Sequence, residues 1–139
     1  MVADALSVIH SARPDIPLLP RILVEAIALV EQSLGSAESV ANQLGLRNRF
    51  QLARVLKHAG LPPLHRLAGW LTILSWVQRA EREHESLCSI AFHSHRHPSA
   101  CYRLVKEITH CRWKLVVRRG SAWVEQEMLK ELRKRVILH

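Results

Sequence analysis

Two stretches of the chain place basic and amide side chains three or four residues apart, opposite an apolar stripe. Such spacing puts these side chains on one face of a helix. Arginine offers a planar pair of donors to guanine O6 and N7, and glutamine can bind adenine in the same two-point way. The pattern therefore predicts that bases are read in the major groove of DNA. The candidate residues are Arg47, Gln51, Arg54 and His58 in the first stretch, and Arg96, Ser99, Ala100 and Arg103 in the second.

The two stretches are copies of one pattern. A basic helix face alone is usually only solvated surface, but a chance surface does not repeat in register with a core pattern. Adding 49 to a residue number in the first copy pairs Arg47 with Arg96, Leu52 with Cys101, Arg54 with Arg103, Val55 with Leu104, Leu56 with Val105 and Lys57 with Lys106. Upstream the offset is 50, which pairs Ser36 with Ser86, Ser39 with Ser89, Val40 with Ile90 and Ala41 with Ala91. The second copy should therefore have a turn that is one residue shorter.

A second group of residues is expected to contact phosphates, which fixes orientation without reading sequence. Lysines beside the reading faces and hydroxyl residues at helix starts have this chemistry. A histidine at the start of the second basic helix would bind phosphate more strongly when protonated. The group comprises Ser36, Lys57, Arg66, Ser86, His97 and Lys106.

Apolar periodicity and helix stop signals predict an all-α chain, because no stretch alternates as a strand does. We expect an N-terminal lead-in at 1–19, a helix-turn-helix unit at 20–63, a linker helix at 64–83, a second unit at 84–117 and a C-terminal helix at 118–139. The second unit should contain a helix from Ser86 to Ala91, a histidine-rich turn at 92–97 and a helix that begins at Pro98. Ser121 is expected to cap a final helix of about sixteen residues.

Composition fits a small basic domain. The 139 residues are 48% apolar, enough for one core, and carry a net charge of +8. This basicity suits a phosphate backbone, an anionic membrane or an acidic partner. No apolar run is long enough to span a membrane, and the N-terminus does not resemble a secretory signal. The three cysteines are too few for a disulfide framework, which suits a reducing cytosol.

Other functions have less support in the sequence. Cys88, His93, His95, His97 and Cys101 suggest a metal site, but their spacing does not favour one tetrahedral set, so no metal or other cofactor is expected. No nucleophile motif, phosphate loop or pair of carboxylates indicates an enzyme. The last helix carries an apolar stripe of Val124, Met128, Leu132 and Val136. That stripe either packs on the domain or forms a dimer or other protein contact.

Several residues in both units also match a family pattern. They are Val40-Ala41, Leu44-Gly45, Leu52, Arg54, Lys57 and Gly60-Leu61-Pro62-Pro63 in the first unit, and Ile90-Ala91, Tyr102-Arg103, Val105 and Lys106 in the second. With these residues, the stretch from about Ser36 to Lys114 resembles the DNA-binding domain of the AraC/XylS family of bacterial transcription regulators. The resemblance implies seven helices, in which a linker helix holds two helix-turn-helix units against successive major-groove segments. It also implies base contacts by Arg49, Phe50, Gln51, Arg54, Ser99, Ala100 and Arg103.

The chain departs from that family pattern in the second unit. His93-Ser94-His95 replaces the usual Gly-Phe, and His110-Cys111-Arg112-Trp113 replaces the closing Gly-x-x-Pro. The aromatic and arginine that usually follow Pro63 are also missing. The second unit is therefore expected to dock differently or to bind DNA more weakly. No sensor domain precedes the module, so the chain is expected to be a stand-alone member or a fragment.

The sequence thus predicts specific binding of double-stranded DNA in the cytoplasm, for regulation of transcription and without catalysis. A monomer can read both segments, although a dimer through the last helix stays open. The alternative is an adaptor, in which a degenerate helix-turn-helix scaffold binds RNA polymerase or another regulator.

Overall fold

The structure, a computed structural model, describes residues 41–42 and 44–137, with side chains as far as Leu132. The predicted lead-in and the start of the first predicted unit, including Ser36, lie outside the described residues. The side chain of Val136 lies outside them too. The described part is all-α and contains no strand, which confirms the predicted fold class.

Six helices follow one another after a helical segment at Ala41 and Asn42. They are α1 Arg49–His58, α2 Leu64–Glu83, α3 Leu87–His93, α4 Pro98–Thr109, α5 Trp113–Arg119 and α6 Ser121–Ile137.

Most of these bounds agree with the prediction. The linker helix α2 has the predicted limits, and Pro98 occupies the first turn of α4. Helix α3 continues to His93, so the turn after it is shorter than predicted. Helix α5 was not predicted, and only two of its seven residues, Trp113 and Val116, are buried. Ser121 is the first residue of α6 rather than its cap.

Helix α2 lies at the centre of the fold. It packs against α3, α4, α5 and α6. Because its buried residues lie on every side of the helix, it is a core element rather than a surface spacer. These residues are Leu67, Gly69, Trp70, Leu71, Thr72, Ile73, Leu74, Trp76, Val77 and Ala80.

Helix α4 packs closely against α2 at Gly69. A Cβ atom built on Gly69 would lie 2.8 Å from both Cγ1 and Cδ1 of Ile108. The absence of a side chain at Gly69 therefore lets α4, the second basic helix, pack directly against α2.

Helix α6 closes the other side of α2. Val124, Met128 and Leu132 of the predicted stripe are fully buried in the core. This part of the stripe packs on the domain, so it is not exposed for a dimer contact. Hydrogen bonds also join the two helices. Arg66 Nη2 donates to Glu131 Oε2 at 2.9 Å, and Trp70 Nε1 donates to the same oxygen. We call these three residues the clamp between α2 and α6.

Candidate nucleic-acid interface

The turns before α1 and α4 close with the same backbone hydrogen bonds. In each, a helix ends with one bond spanning five residues and another spanning three, as in a Schellman motif. The bonds are Leu46 N to Ala41 O at 2.9 Å and Gly45 N to Asn42 O at 3.1 Å before α1, and Arg96 N to Ala91 O at 2.9 Å and His95 N to Phe92 O at 3.2 Å before α4. The two turns are thus equivalent in geometry at an offset of 50.

The left-handed position of each turn is filled differently. Gly45 has a φ of 73° in the first turn, and His95 has a φ of 56° in the second. Glycine adopts this region freely, whereas a residue with a Cβ is strained there by about 1–2 kcal/mol. His95 therefore adopts, in the second turn, the left-handed backbone conformation that Gly45 adopts in the first.

The turns also show at which position the second copy is one residue shorter than the first. Gly45 precedes the N-cap Asn48 by three positions, but His95 precedes the N-cap His97 by two. Since the hydrogen bonds match Leu46 with Arg96, the sequence pairing of Arg47 with Arg96 was wrong by one position. Arg96 instead takes the inward place of Leu46, and its guanidinium lies 5.6 Å from the centre of the Trp76 ring.

Both basic helices begin with a side-chain cap. Asn48 Oδ1 accepts from Phe50 N at 3.1 Å and from Gln51 N at 3.0 Å. His97 Nδ1 accepts from Ser99 N at 3.3 Å and lies 2.7 Å from the Ser99 hydroxyl. His97, a predicted phosphate ligand, thus has a structural function at Nδ1 as the cap of α4.

The packing faces of α1 and α4 are buried in the same register. Leu52 and Leu56 of α1 are fully buried, as are their counterparts Cys101 and Val105 of α4. Burial also raises the pKa of the Cys101 thiol, so this cysteine behaves as a core residue. The repeat found in the sequence therefore corresponds to a repeated packing arrangement.

The opposite faces are exposed in that same register. We call them the paired basic face, which comprises Phe50, Arg54 and Lys57 on α1 and Ser99, Arg103 and Lys106 on α4. Within the part of the chain that the structure describes, none of its four cations forms a salt bridge. Their charges are therefore available to an external anion.

The other predicted base readers lie at the margins of this face. Arg49 is exposed and stacks on Phe50, with its guanidinium carbon 5.0 Å from the ring centre. Gln51 is half-buried, and its Oε1 accepts from Arg47 N at 2.8 Å, which ties the amide to the turn. Arg47 and Ala100 are exposed.

Two predicted phosphate ligands have roles inside the fold. Arg66 is held by Glu131, whose hydrogen bond raises the arginine pKa, and the same guanidinium reaches Ile108 O at 3.4 Å. We therefore assign Arg66 to the clamp between α2 and α6 and not to a phosphate. Ser86 caps α3 by accepting from Ser89 N at 3.1 Å, although its side chain remains at the surface.

The residues weighed as metal ligands have separate environments. Cys88 is exposed, with its Sγ 3.7 Å from Tyr102 Oη, while Cys101 is buried. His93, the last residue of α3, has its Nδ1 3.3 Å from Oε2 of Glu85, which precedes the N-cap of that helix. Across residues 41–42 and 44–137, no group of three metal-binding side chains comes together.

Sequence reasoning missed a groove beside α4. Trp76 and His65 of α2 lie along it, and Glu107 of α4 is 3.0 Å from His65. The only sequence signal was the exposed side of α4 that Ala100 and Glu107 share, three and four residues from Arg103.

Comparisons with known proteins return no neighbour: no protein-family model, no curated protein and no solved structure matches the chain. The described helices also include none that is both long and apolar enough to cross a membrane.

Proposed function

We propose that the chain binds double-stranded DNA sequence-specifically through the paired basic face and acts as a transcription regulator of AraC/XylS type. The observation that carries this proposal is the shared register of α1 and α4. In both helices the buried face is apolar, and arginine and lysine occupy the same exposed positions. A helix with one face packed and the other exposed and basic suits the major groove.

Each residue type on the paired basic face has a distinct task. Arg54 and Arg103 read bases, since a guanidinium binds guanine O6 and N7 with two hydrogen bonds. Lys57 and Lys106 bind phosphates, which sets the register of each helix on the duplex. Phe50 is 62% exposed and contacts a thymine methyl group, while Ser99 at the same position of α4 offers a hydroxyl.

The central helix gives the proposal its geometry. At about 1.5 Å per residue, a helix the length of α2 spans roughly 30 Å, close to the ~34 Å between successive major-groove openings on one face of B-DNA. We infer that one monomer reads an asymmetric two-part site; because α4 lies alongside α2, with Ile108 against Gly69, bending of the DNA takes up the difference from the groove spacing.

The test is duplex binding as a function of salt. Fluorescence anisotropy with duplexes selected from a random pool should give a linear fall of log affinity with log salt, with a slope of about −0.9 per phosphate contacted. Lys57→Gln and Lys106→Gln should each reduce the slope by about one. Lys130→Gln on α6, whose lysine pairs with Glu127, is the matched control and should leave it unchanged. A chain that enriches no sequence and binds duplexes without salt dependence does not have this function.

One observation favours the adaptor as a second candidate. Phe92 on α3 is 79% exposed, more than Phe50 and Tyr102, the other large apolar side chains that are exposed in the described residues. An adaptor would bury Phe92 against its protein partner. Phe92→Ser should then abolish the protein complex and spare duplex binding, whereas Arg54→Ala should weaken duplex binding and spare the protein complex.

A further inference from the structure

The exposed side of α5 is entirely basic. In the stretch from 112 to 119, every residue that is exposed in the structure is an arginine or a lysine. The opposite side is apolar, with Trp113 and Val116 in the core and Val117 packed against it. We call the four exposed cations the α5 patch, which comprises Arg112, Lys114, Arg118 and Arg119.

The charges of the α5 patch are not balanced by nearby acids. The sequence from 108 to 124 contains no aspartate or glutamate. Within the part of the chain that the structure describes, none of the four cations forms a salt bridge. Glu81 of α2 does reach the end of α5, but its Oε2 accepts from Ser121 N at 3.1 Å. Since like charges four residues apart on a helix repel each other, Lys114 and Arg118 favour an external polyanion that neutralises both.

The first copy of the repeat has no counterpart of the α5 patch, although the fold around it does repeat. At the offset of 49, α5 corresponds to the first two turns of α2. Val116 N bonds to Arg112 O at 3.1 Å, just as Leu67 N bonds to Pro63 O at 3.0 Å. The basic charge is nevertheless specific to the second unit. The positions of the four cations hold Pro63, His65, Gly69 and Trp70 in the first copy.

The α5 patch continues the basic face of α4. Exposed residues at helical spacing carry that face along α4 from Arg103 to the C-cap His110, and Arg112 follows two residues later. Helix α5 packs against α2, α4 and α6, and the Arg119 guanidinium lies 4.8 Å from the centre of the Trp123 ring. The core therefore holds the α5 patch in a fixed place beyond the C-terminal end of α4.

We propose that the α5 patch binds the phosphate backbone of duplex DNA next to the segment that α4 reads. A recognition helix in the major groove lies between two phosphate backbones, so cations just beyond its end meet phosphates rather than bases. Such contacts add affinity without sequence preference. The inference rests on the proposed DNA-binding function. It adds that the bound duplex extends further on the α4 side than on the α1 side, and that this extra length is not read.

Duplex length tests the α5 patch. Anisotropy titrations of the full chain compare a selected duplex, trimmed to its two read segments, with duplexes extended by one helical turn of about 10 base pairs at one end or the other. The α4 end is the one where Arg103→Ala relaxes the base preference. Compared with extension at the α1 end, extension at the α4 end should raise affinity about tenfold in low salt. It should also steepen the salt slope by about two to three, since each phosphate contributes about 0.9.

A variant without these charges supplies the second arm of the test. Arg112→Gln/Lys114→Gln/Arg118→Gln should abolish the gain from the α4-end extension and leave the affinity and base preference for the trimmed duplex unchanged. These side chains are exposed, and the N-cap Arg112 makes no side-chain cap, so the variant should fold, which its thermal unfolding midpoint verifies. Arg112→Lys/Arg118→Lys is the matched control. It should retain the salt slope, because lysine binds phosphate as a point charge.

The outcomes separate this inference from the proposed function. Equal gains from the two extensions overturn the inference, as does a folded glutamine variant that keeps the α4-end gain. Both results leave the proposed function standing, because binding of the trimmed duplex does not need α5. A chain that binds no duplex at all refutes the proposed function and the inference with it. Vesicles of phosphatidylserine and phosphatidylcholine provide a last arm, since vesicle binding that needs the three cations, without an α4-end gain, would assign the α5 patch to a membrane surface instead.

Discussion

The turn before α1 and the turn before α4 reach the same geometry with different residues. Gly45 supplies the left-handed position in one and His95 in the other, and the hydrogen bonds around them match. The second turn is also one residue shorter, and Arg96 stands where the first has Leu46. The same turn geometry is thus held by the same backbone hydrogen bonds, although the side chains in the two turns differ.

The two units also differ in what surrounds them. Helix α4 is fixed by contact with α2, α3 and α5, and Gly69 lets it approach the central helix closely. Helix α1 presents Phe50 and the stacked Arg49 beside its exposed arginine. If both units read DNA, the first should discriminate more among bases, because more groups that can contact base edges surround Arg54.

The largest expected effect is on DNA binding. Arg54→Ala and Arg103→Ala should each weaken specific binding by roughly 1–3 kcal/mol and relax the preference at one base step. Arg54→Ala should cost more, since Arg103 Nε lies 3.5 Å from Ser99 O and is partly engaged by its own helix. Anisotropy titrations with a selected duplex and its single-base variants measure both effects. Equal losses with unchanged base preference would show that neither arginine reads bases.

The next largest effect is on stability, through the packing of α4 against α2. Gly69→Ala should destabilise the fold by about 1–2 kcal/mol, because its Cβ would overlap Ile108, less the gain in helix propensity. Thermal unfolding gives the magnitude. Ala53→Gly at an exposed position of α1 is a control for helix propensity alone. Gly69→Ala with Ile108→Val should recover part of the loss, and no recovery would mean that the contact with Ile108 is not its cause.

Much of this comparison could be predicted from sequence, for identifiable reasons. The limits of α2 follow from Pro62-Pro63 and from the change of pattern after Glu83, and the exposed arginines follow from helical periodicity. These are local signals. The internal repeat also predicted the shorter turn, because deletion of one residue changes the offset of everything that follows.

Other features depend on contacts that leave no local signal. Arg66 and Glu131 are 65 residues apart, so nothing in the sequence around Arg66 distinguishes a clamp from a phosphate ligand. Arg96 was paired with Arg47 because the offset alone does not locate the missing residue within the turn. The matching backbone hydrogen bonds of the two turns and the left-handed φ of His95 do so. Helix α5 was missed because seven residues are too few to establish a period and its N-cap, Arg112, makes no side-chain cap, whereas Ser86 marks the start of the equally short α3.

Substitutions at the left-handed positions of the two turns should change stability less, and with opposite signs. His95→Gly should stabilise the second unit by about 1 kcal/mol, because glycine adopts a positive φ without strain. Gly45→Ala should cost the first unit a similar amount, since its Cβ meets nothing within 4 Å and only the backbone conformation opposes it. Denaturant midpoints with unchanged m-values measure both. Effects of the same sign in the two variants would contradict the equivalence of the turns.

The smallest expected effect is one of pH, and it is confined to the second unit. Glu85 precedes the cap of α3, where the first copy has Gly35. Hydrogen bonding with Glu83, and then with Ser89 and Arg79, lowers the pKa of Glu85 to about 2. Because the folded pKa lies below the unfolded value of about 4.3, this carboxylate stabilises the fold above that value and loses its contribution as the pH falls towards 2. Protection of the amide protons at the start of α3, relative to their intrinsic exchange rate, should therefore fall in acid by more than any change at the start of α1. Glu85→Gln should remove that difference, because the glutamine does not titrate. A loss of protection in acid that persists in this variant would mean that another carboxylate, and not Glu85, holds the junction of α2 and α3.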